Sequence, residues 1–523
     1  MAPVAVGQGS LALATSPQPR RLRVGLFADA RPQPRWLAES LARVARSDFA
    51  EIVVIATAGS RRAPAPRLLD AYAKLDQWAF GAEPCQPVDL AQAVPHGLLT
   101  HGAHWSAPDF APLGLDVALA LGEFDDTVLD GVAACGVWRY AFDGFREVAE
   151  GKPLTGSRLL ARLSAGAAPR IAYESWSRTY TLSVARNRGE LLHKTAEFAA
   201  RALREAHRSG RSWLEQCRPY KAPASPGPAS PASSLLRIGS RILQRGLEKA
   251  LTVDQWFLAY RLGGNGALDP ALEGFTRLLP PRDRDWADPF VIEKSGRYYV
   301  FFEELPRAAG KAHIAMLEID AEGRASAPVR VLERDYHLSY PFLLEHDGAL
   351  YMVPETAANG TVELYRCTDF PRRWRLERVL LDGVRLVDPT LHRGPDRWWL
   401  FANAAPGESR VFDDELHLFH APSLFGDWQP HRRNPVRSDA RCARPAGSLF
   451  WRNGALHRPA QVCVPRYGAG LAVHRVLRLT PQEYAERQVE RVLPGAGGLL
   501  GLHTLNRAGH LTVVDAFTRR RRI

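Results

Sequence analysis

Two aspartates stand directly in front of a proline in the second half of the chain, Asp288 before Pro289 and Asp388 before Pro389. A third acidic residue, Glu355, follows a strand-like run that ends in Val353-Pro354. Paired carboxyl groups cleave glycosidic bonds when one acts as base or nucleophile and the other, protonated, acts as acid. We predict Asp288 as base or nucleophile, Asp388 as a stabilising residue and Glu355 as acid.

Other polar side chains occur near equivalent points of the sequence and could bind the substrate. They are Tyr340, Arg444, Arg458, His503 and Glu304. The two arginines would suit a phosphate or a uronate, because a guanidinium binds such anions through two parallel hydrogen bonds. No His, Cys or Asp cluster has the spacing of a metal site. The alternative is structural, since Asp-Pro is also a common turn device.

Several of these residues occupy equivalent positions of a repeated sequence unit. The residues before four prolines, Asp288, Tyr340, Asp388 and Arg444, follow one another at intervals of about 50 residues, as the blades of a propeller do. Each begins a strand that continues through a tight turn, such as Ser295-Gly296, into a second strand. A weaker fifth copy begins near His503. The pattern predicts a five-bladed β-propeller over residues 251–523, with the candidate residues facing its central channel.

The first half of the chain has a different pattern. Buried strands are predicted at 23–28, 51–56 and 115–121, with a helix at 36–44 and a long helix at 185–215. This order favours a parallel, doubly wound α/β sheet in residues 21–215. Residues 1–20 are predicted to be a disordered lead-in, and 216–250 a Pro/Ala/Ser linker followed by an amphipathic basic helix. The chain is therefore predicted to be multidomain, α/β followed by all-β, with strand 255–261 pairing with the last blade to close the ring.

The α/β region resembles the formyltransferase fold. The resemblance rests on the opening strand-helix-strand, the run Leu115 to Gly122, Gly136-Val137-Trp138, and the segments 173–177 and 182–188. It implies a bacterial formyltransferase-like domain fused to a propeller. Working formyltransferases carry Asn-x-His in the stretch equivalent to Cys135 to Tyr140, which here contains neither Asn nor His, and Asp143 is a candidate remnant of a further acid. Without that imidazole and amide the domain is predicted to be inactive in acyl transfer.

The propeller is similar to five-bladed, glycoside-hydrolase-like propellers, including the one at the N-terminus of plant glucosamine inositolphosphorylceramide transferases. Five short elements between residues 255 and 518 carry the resemblance: 287–290 with 299–304, 353–356, 388–390, 458–461 and 501–504. The resemblance implies a carbohydrate ligand. In related sequences an acidic residue follows the Arg-Pro-x-Gln element, whereas this chain has Val462 there.

Composition narrows the partners. The net charge of +12 favours anionic ligands or a membrane surface, or reflects an Arg-rich proteome. Six cysteines without CxxC pairs suggest free thiols in a reducing compartment, and the start shows no signal-peptide pattern. We expect a cytoplasmic protein without a transmembrane segment, with peripheral membrane contact as an option. Nucleic acid is not an expected partner, because the basic residues are dispersed.

Three functions remain open from the sequence. The first is an enzyme acting on a glycosyl bond of a carbohydrate, sugar phosphate or nucleotide sugar, in cell-envelope or exopolysaccharide metabolism. The second is N-formyl transfer to a sugar nucleotide by the first domain, the only case that would need a cofactor, formyl-tetrahydrofolate. The third is a glycan-binding or scaffold protein without catalysis.

Overall fold

The computed structural model of the chain describes residues 20–29, 33–58, 67–81, 85–88, 98–101, 107–122, 126–142, 144–222, 231–263, 270–407, 409–494 and 498–522. Three features predicted from the sequence fall outside these residues. They are the lead-in up to residue 19, the stretch 223–230 of the linker, and Asp143.

A seven-stranded mixed sheet forms the first half of the molecule. Its strands in spatial order are Leu98–His101, Ala50–Ala58, Leu22–Asp29, Val117–Ala120, Val137–Ala141, Leu154–Arg162 and Arg170–Arg178. The first five run parallel, and the last two form an antiparallel hairpin. Buried residues cover both faces of this sheet, with Trp36, Leu41 and Phe198 on one face and Phe27 and Phe110 on the other. The hairpin was not predicted from the sequence.

The remaining elements of this half are helices and short pieces. The α-helices are Arg35–Ala45, Arg67–Phe80, Ala107–Phe110, Phe145–Glu150, Val184–Thr195, Phe198–Gln216 and Pro231–Leu251; the short strands are Gln33–Pro34 and Pro87–Val88; the 3-10 turns are Ala111–Leu113 and Asp126–Leu129. The single helix predicted at 185–215 is wrong, because two helices meet at Ala196 and Glu197. At this junction the Thr195 hydroxyl donates to the Leu192 carbonyl, a local bond that competes with helix continuation.

Five antiparallel sheets of strands between Thr252 and Arg521 form the propeller. Blade one contains Arg284–Lys294, Arg297–Pro306, His313–Ile319 and Val329–Leu332; blade two contains Ser339–His346, Ala349–Thr356, Thr361–Asp369 and Arg373–Asp382. Blade three contains Leu386–Arg393, Trp398–Ala404, Glu415–Ala421, Gln429–Pro430 and Arg437–Ser438; blade four contains Phe450–Arg452, Ala455–Val462, Gly470–Leu479 and Tyr484–Val492. A 3-10 turn, Ala357–Asn359, follows the second strand of blade two. The predicted five-bladed propeller is confirmed.

Blade five combines segments from both ends of this region. Its strands are Thr252–Leu262, Thr276–Leu278, Leu499–Gly501, Leu505–Ala508 and Leu511–Arg521. Thr252–Leu262 pairs with Leu511–Arg521 along its whole length, from Thr252 opposite Arg521 to Leu262 opposite Leu511. The ring is therefore closed by the strand predicted to close it.

The α/β unit lies directly against the propeller. The last strand of its sheet meets the loop after blade three through a bridge between Trp176 and Asp439, where the Ala440 amide donates to the Trp176 carbonyl at 2.9 Å. Among the described residues, no helix is both long and apolar enough to cross a membrane.

Candidate active site

The residue before the proline has the same unusual backbone in the first three blades. Asp288, Tyr340 and Asp388 have φ of 52°, 44° and 53°, the left-handed region that non-glycine residues seldom adopt. At each of them the pairing between the first two strands of the blade skips two residues, as in a β-bulge. The bulge turns three side chains out of the strand alternation and toward one another.

Asp388 is held in the centre of this group as one half of an ion pair. The Arg444 guanidinium donates to both of its carboxylate oxygens, at 2.5 and 3.2 Å. The Gln461 side-chain amide donates to the same carboxylate at 2.9 Å. Asp388 is buried, and its carboxylate is already engaged by Arg444 and Gln461. This supports the stabilising role predicted for Asp388, and it shows that the charge of Arg444 is already matched.

Asp288 is surrounded by polar groups of blade five. The Thr504 hydroxyl donates to its carboxylate at 2.8 Å, and His503 Nε2 lies 3.7 Å away. His503 contacts Asp515 through its other ring nitrogen, and the Trp256 ring stacks on it at 4.0 Å. Burial alone would lower the pKa of His503, but the negative charges of Asp515 and Asp288 raise it to about 9. The predicted fifth-blade histidine therefore lies beside Asp288 as a cation.

Burial raises the pKa of Asp288 to about 7, and the nearby charges of Asp388 and Glu303 act in the same direction. The imidazolium of His503 opposes this rise. Asp288 is 4% exposed, and a carboxylate that is buried to this extent loses most of its hydration. Near neutral pH this group can therefore exchange a proton, as a general base must.

Glu355 lies in the wall of an open cavity of about 640 Å³ at the end of the channel. His337, Arg385, Phe412 and Arg444 line the same cavity. Burial raises the pKa of Glu355 to about 8, and the negative charge of Asp388 adds to the rise. The backbone amide of Asp388 donates to Glu355 at 3.4 Å. At neutral pH Glu355 is thus protonated and faces space in which a ligand can lie.

His337 and Glu303 form a further ion pair next to Glu355. His337 Nε2 lies 3.3 Å from Glu303. Burial by itself lowers the pKa of His337, but the hydrogen bond that His337 donates to Glu303 and the negative charges of Glu303, Glu355 and Asp288 raise it overall. The cavity wall therefore offers an imidazole that can carry a positive charge beside the candidate acid.

Two residues predicted to bind substrate lie away from the channel. Arg458 is 1% exposed and forms a buried pair with Glu486, at 2.8 and 2.9 Å, so it cannot act as an anion clamp. Glu304 accepts hydrogen bonds from His313 and Trp286, and the bond from His313 lowers its pKa to about 2. Each residue thus forms an ion pair that joins two strands within its own blade, Glu304 in blade one and Arg458 in blade four.

Tyr340 lies among the residues at the centre of the propeller, but its contacts are structural. Its hydroxyl bonds the Thr390 hydroxyl at 2.8 Å and accepts from the Gly447 amide at 2.7 Å. The side chain is fully buried. It therefore joins blades two, three and four beneath the cavity and has no free group for a ligand.

The α/β unit supplies cations to three consecutive acids next to the channel. Asp413, Asp414 and Glu415 pair with Arg178, Lys194 and Arg201, at 2.7, 2.7 and 2.6 Å. Glu415 and Asp414 are buried, and the charge of Arg201 more than offsets the effect of burial, so the pKa of Glu415 lies well below its usual range. Asp413 also lies 4.0 Å from Arg444. No local sequence pattern predicts this contact, because the two residues of each pair are more than 200 positions apart in the chain.

Among the residues that the structure describes, two groups of side chains bring three metal-ligand atoms within 4.8 Å of one another, Asp288-His503-Asp515 and Cys442-His474-Glu486. In the first, Asp515 accepts from the backbone amides of Asp288, His503 and Thr504 and contacts the His503 ring. In the second, Glu486 pairs with the guanidinium groups of Arg437 and Arg458. Because internal cations or donors satisfy both carboxylates, neither donor set fits a metal ion well.

Comparison with known proteins finds one family. Residues 283–498 match the family model described as glucosamine inositolphosphorylceramide transferase 1, N-terminal. The match confirms the resemblance of the propeller that the sequence predicted. It runs from the start of blade one to the end of blade four and includes Asp288, Glu355 and Asp388.

Two curated relatives are plant proteins named glucosamine inositolphosphorylceramide transferase 1. The protein of Oryza sativa subsp. japonica is 34% identical over 234 residues, which is 43% of this chain and 31% of the relative. That of Arabidopsis thaliana is 32% identical over 206 residues, 39% of this chain and 27% of the relative. The chain thus spans less than a third of the length of these relatives.

Among solved structures, the chain is similar to Zg3597, a family 117 glycoside hydrolase of Zobellia galactanivorans. The identity is 12%, the TM-score is 0.34, and the match covers 51% of this chain and 90% of that one. An exo-1,5-alpha-L-arabinanase from a bovine ruminal metagenomic library is 14% identical with a TM-score of 0.33, over 46% of this chain and 94% of that one.

Proposed function

We propose that the protein acts on a carbohydrate and that the propeller channel carries out chemistry at a glycosyl bond. The observation that carries the proposal is the pair of carboxyl groups Asp288 and Glu355, whose surroundings raise their pKa values to about 7 and about 8. Glycosyl bond chemistry needs one carboxyl group that gives a proton and one that takes a proton or attacks. Glu355, protonated and facing the cavity, is suited to the first role.

In the proposed reaction Glu355 gives its proton to the oxygen of the leaving group as the glycosidic C–O bond breaks. Asp288 takes a proton from the attacking water, or from an acceptor hydroxyl if the reaction is a transfer, or attacks the anomeric carbon itself. Asp388 stays paired with Arg444, and its negative charge contributes to the raised pKa values of Asp288 and Glu355. The plant relatives are named glucosamine inositolphosphorylceramide transferase 1, and the sugar in that name supports a saccharide as ligand.

Formyl transfer by the first domain remains a prediction that we do not adopt. At the stretch where working formyltransferases are expected to carry Asn-x-His, Trp138 is fully buried and donates its indole N–H to the Cys135 carbonyl. The Tyr140 hydroxyl bonds the Ser40 hydroxyl at 3.0 Å. These contacts suit a packed core and leave no group there to manage a proton.

The test compares wild type with Glu355→Gln and Asp288→Asn on unmodified oligosaccharides and on aryl glycosides with a nitrophenol leaving group. Product is measured by chromatography. We expect Glu355→Gln to lose about 10²- to 10⁴-fold on oligosaccharides and much less on nitrophenyl glycosides, whose leaving group needs no proton. Asp288→Asn should lose activity on both. Glu345→Gln, an exposed change in the same blade, is the control.

Equal turnover by Glu355→Gln and wild type on oligosaccharides would overturn the assignment of the acid. Binding of oligosaccharides with no product from any form of the protein would identify a glycan-binding protein in place of an enzyme.

A further inference from the structure

A second cavity, separate from the one that contains Glu355, lies between the α/β unit and blade five. It has a volume of about 770 Å³. Its wall is formed by the end of the strand Arg170–Arg178, the helix Pro231–Leu251, the loop 465–467 and the two long strands of blade five. We call it the basic cleft, because seven basic side chains and only two acidic ones line it.

Three of the basic side chains have no acidic partner among the described residues. Arg186 stacks on the Tyr180 ring at 4.3 Å, and Lys249 and Arg466 make no ion pair within that part of the chain. Burial lowers the pKa of Arg466, and the like charge of Arg519 lowers it further. Positive charge is therefore crowded here in the absence of a ligand.

The other basic residues are only partly matched. Arg245 and Arg519 share the two acids of the cleft, Glu248 and Asp254, at 2.7–3.6 Å. Within the part of the chain that the structure describes, the acceptors of Arg241 are the backbone carbonyls of Thr181 and Val148. Carbonyl oxygens orient a guanidinium but leave its charge in place. The cleft therefore keeps a clear excess of positive charge.

Arg178 adds a donor at the boundary of the cleft. One of its terminal nitrogens pairs with Asp413 at 2.7 Å, while its buried Nε has no acceptor among the described residues. A buried N–H without a partner costs free energy that a bound acceptor would recover.

We propose that the basic cleft binds the phosphoryl group of a phosphorylated ligand. Arginine and lysine donors that converge on a partly enclosed space are the usual recognition elements for phosphate oxygens. The rings of Tyr180, Trp256 and Phe517 line the same cleft and provide apolar surface for the remainder of the ligand. The proposal concerns binding and does not depend on the reaction assigned to the channel.

The phosphoryl group can belong to a soluble molecule or to a lipid headgroup, and one feature makes the lipid source worth testing. Leu236, Leu243, Leu247 and Leu251 are 55–74% exposed. Their spacing places them on one face of the helix Pro231–Leu251, opposite the face that lines the cleft with Arg241, Arg245 and Lys249.

The experiment measures binding of the full chain to inorganic pyrophosphate by calorimetry, and to vesicles of phosphatidylcholine with or without phosphatidylglycerol by flotation. We expect pyrophosphate binding that weakens as salt rises. The variant Arg186→Gln/Arg466→Gln should bind at least tenfold more weakly. The control Arg487→Gln/Arg491→Gln removes the same charge from exposed positions on the outer strand of blade four and should bind within twofold of wild type.

A further variant, Leu243→Ser/Leu247→Ser, separates the two sources. Loss of flotation with anionic vesicles but retention of pyrophosphate binding supports a lipid phosphoryl group. Pyrophosphate binding without vesicle binding by wild type supports a soluble one. Absence of both kinds of binding in wild type, or equal binding by the cleft variant and the control, would overturn the proposal. Thermal unfolding checks that each variant is folded, which we expect because Arg186 and Arg466 make no side-chain ion pair with described residues.

Discussion

Asp388 and Glu355 are close enough for the backbone amide of Asp388 to donate to the Glu355 carboxyl group, yet their side chains have different surroundings. Arg444 and Gln461 surround Asp388 with three donated hydrogen bonds. Burial, together with the negative charge of Asp388, raises the pKa of Glu355 to about 8, so Glu355 holds a proton at neutral pH. Two carboxyl groups of similar chemistry thus acquire separate roles from their neighbours.

The pH profile of activity should be bell-shaped with a narrow maximum between about pH 7 and pH 8. Asp288 must be ionised to act as a base, so kcat/KM rises as pH passes through its pKa of about 7. Glu355 must be protonated to act as an acid, so kcat/KM falls above its pKa of about 8, about tenfold for each further pH unit. Rates measured across pH 5 to 10 test this.

The nitrophenyl glycosides used above provide the check on that profile. Their leaving group needs no proton, so the limb above pH 8 should be absent for wild type with these substrates, while the rise through pH 7 stays. A high-pH limb of equal size on both kinds of substrate would contradict the assignment of Glu355.

At the scale of the element, the bulge before each proline decides which side chains reach the channel. The Tyr340 hydroxyl uses this position to accept from the Gly447 amide across the ring. Tyr340→Phe should lower the free energy of unfolding by about 1–3 kcal/mol, because the Gly447 N–H is left buried without its acceptor. Chemical denaturation measures the change.

The matched control is Tyr299→Phe in blade one, a half-buried tyrosine whose hydroxyl makes no hydrogen bond with described residues. Its loss should stay below about 0.5 kcal/mol. Equal losses for the two variants would mean that the Tyr340 hydroxyl does not join the blades.

The strand alternation also explains which of the predicted site residues lie together at the channel. The repeated residue before proline identified Asp288 and Asp388, because turn chemistry and alternation are local signals. The sequence analysis predicted Glu304 and Arg458 as substrate-binding residues, but both point away from the channel. Adjacent residues of a strand point to opposite faces of the sheet, and each of these two lies on the face that is turned away. Glu303 points to His337 in the channel wall while Glu304 points away, and Gln461 reaches Asp388 while Arg458, three residues earlier, pairs with Glu486.

At the scale of the whole molecule, the α/β unit and the propeller are joined by buried charge pairs that no local pattern could predict. Arg201→Met removes the partner of Glu415, which is 0% exposed, and leaves a buried carboxylate without its guanidinium. We expect a loss of about 3–5 kcal/mol in the free energy of unfolding. Denaturant unfolding measured at neutral pH provides the value.

Arg208→Met on the same helix is the control, because its pair with Glu205 is partly exposed and lies within one helix. Such pairs contribute about 0–1 kcal/mol. If both variants lose the same small amount, the pair between the two units does not stabilise their contact.

The pairing of Thr252–Leu262 with Leu511–Arg521 has a consequence for how the protein is made. The ribosome releases the first of these strands long before the second, so blades one to four emerge while the ring is still open. During that time the strand Thr252–Leu262 has an unpaired edge, which is open to association with other chains. The sequence-distant pairing also makes ring closure a late and slow event. Removal of Leu511–Arg521 should therefore yield aggregated nascent chains even though blades one to four keep all their own strands.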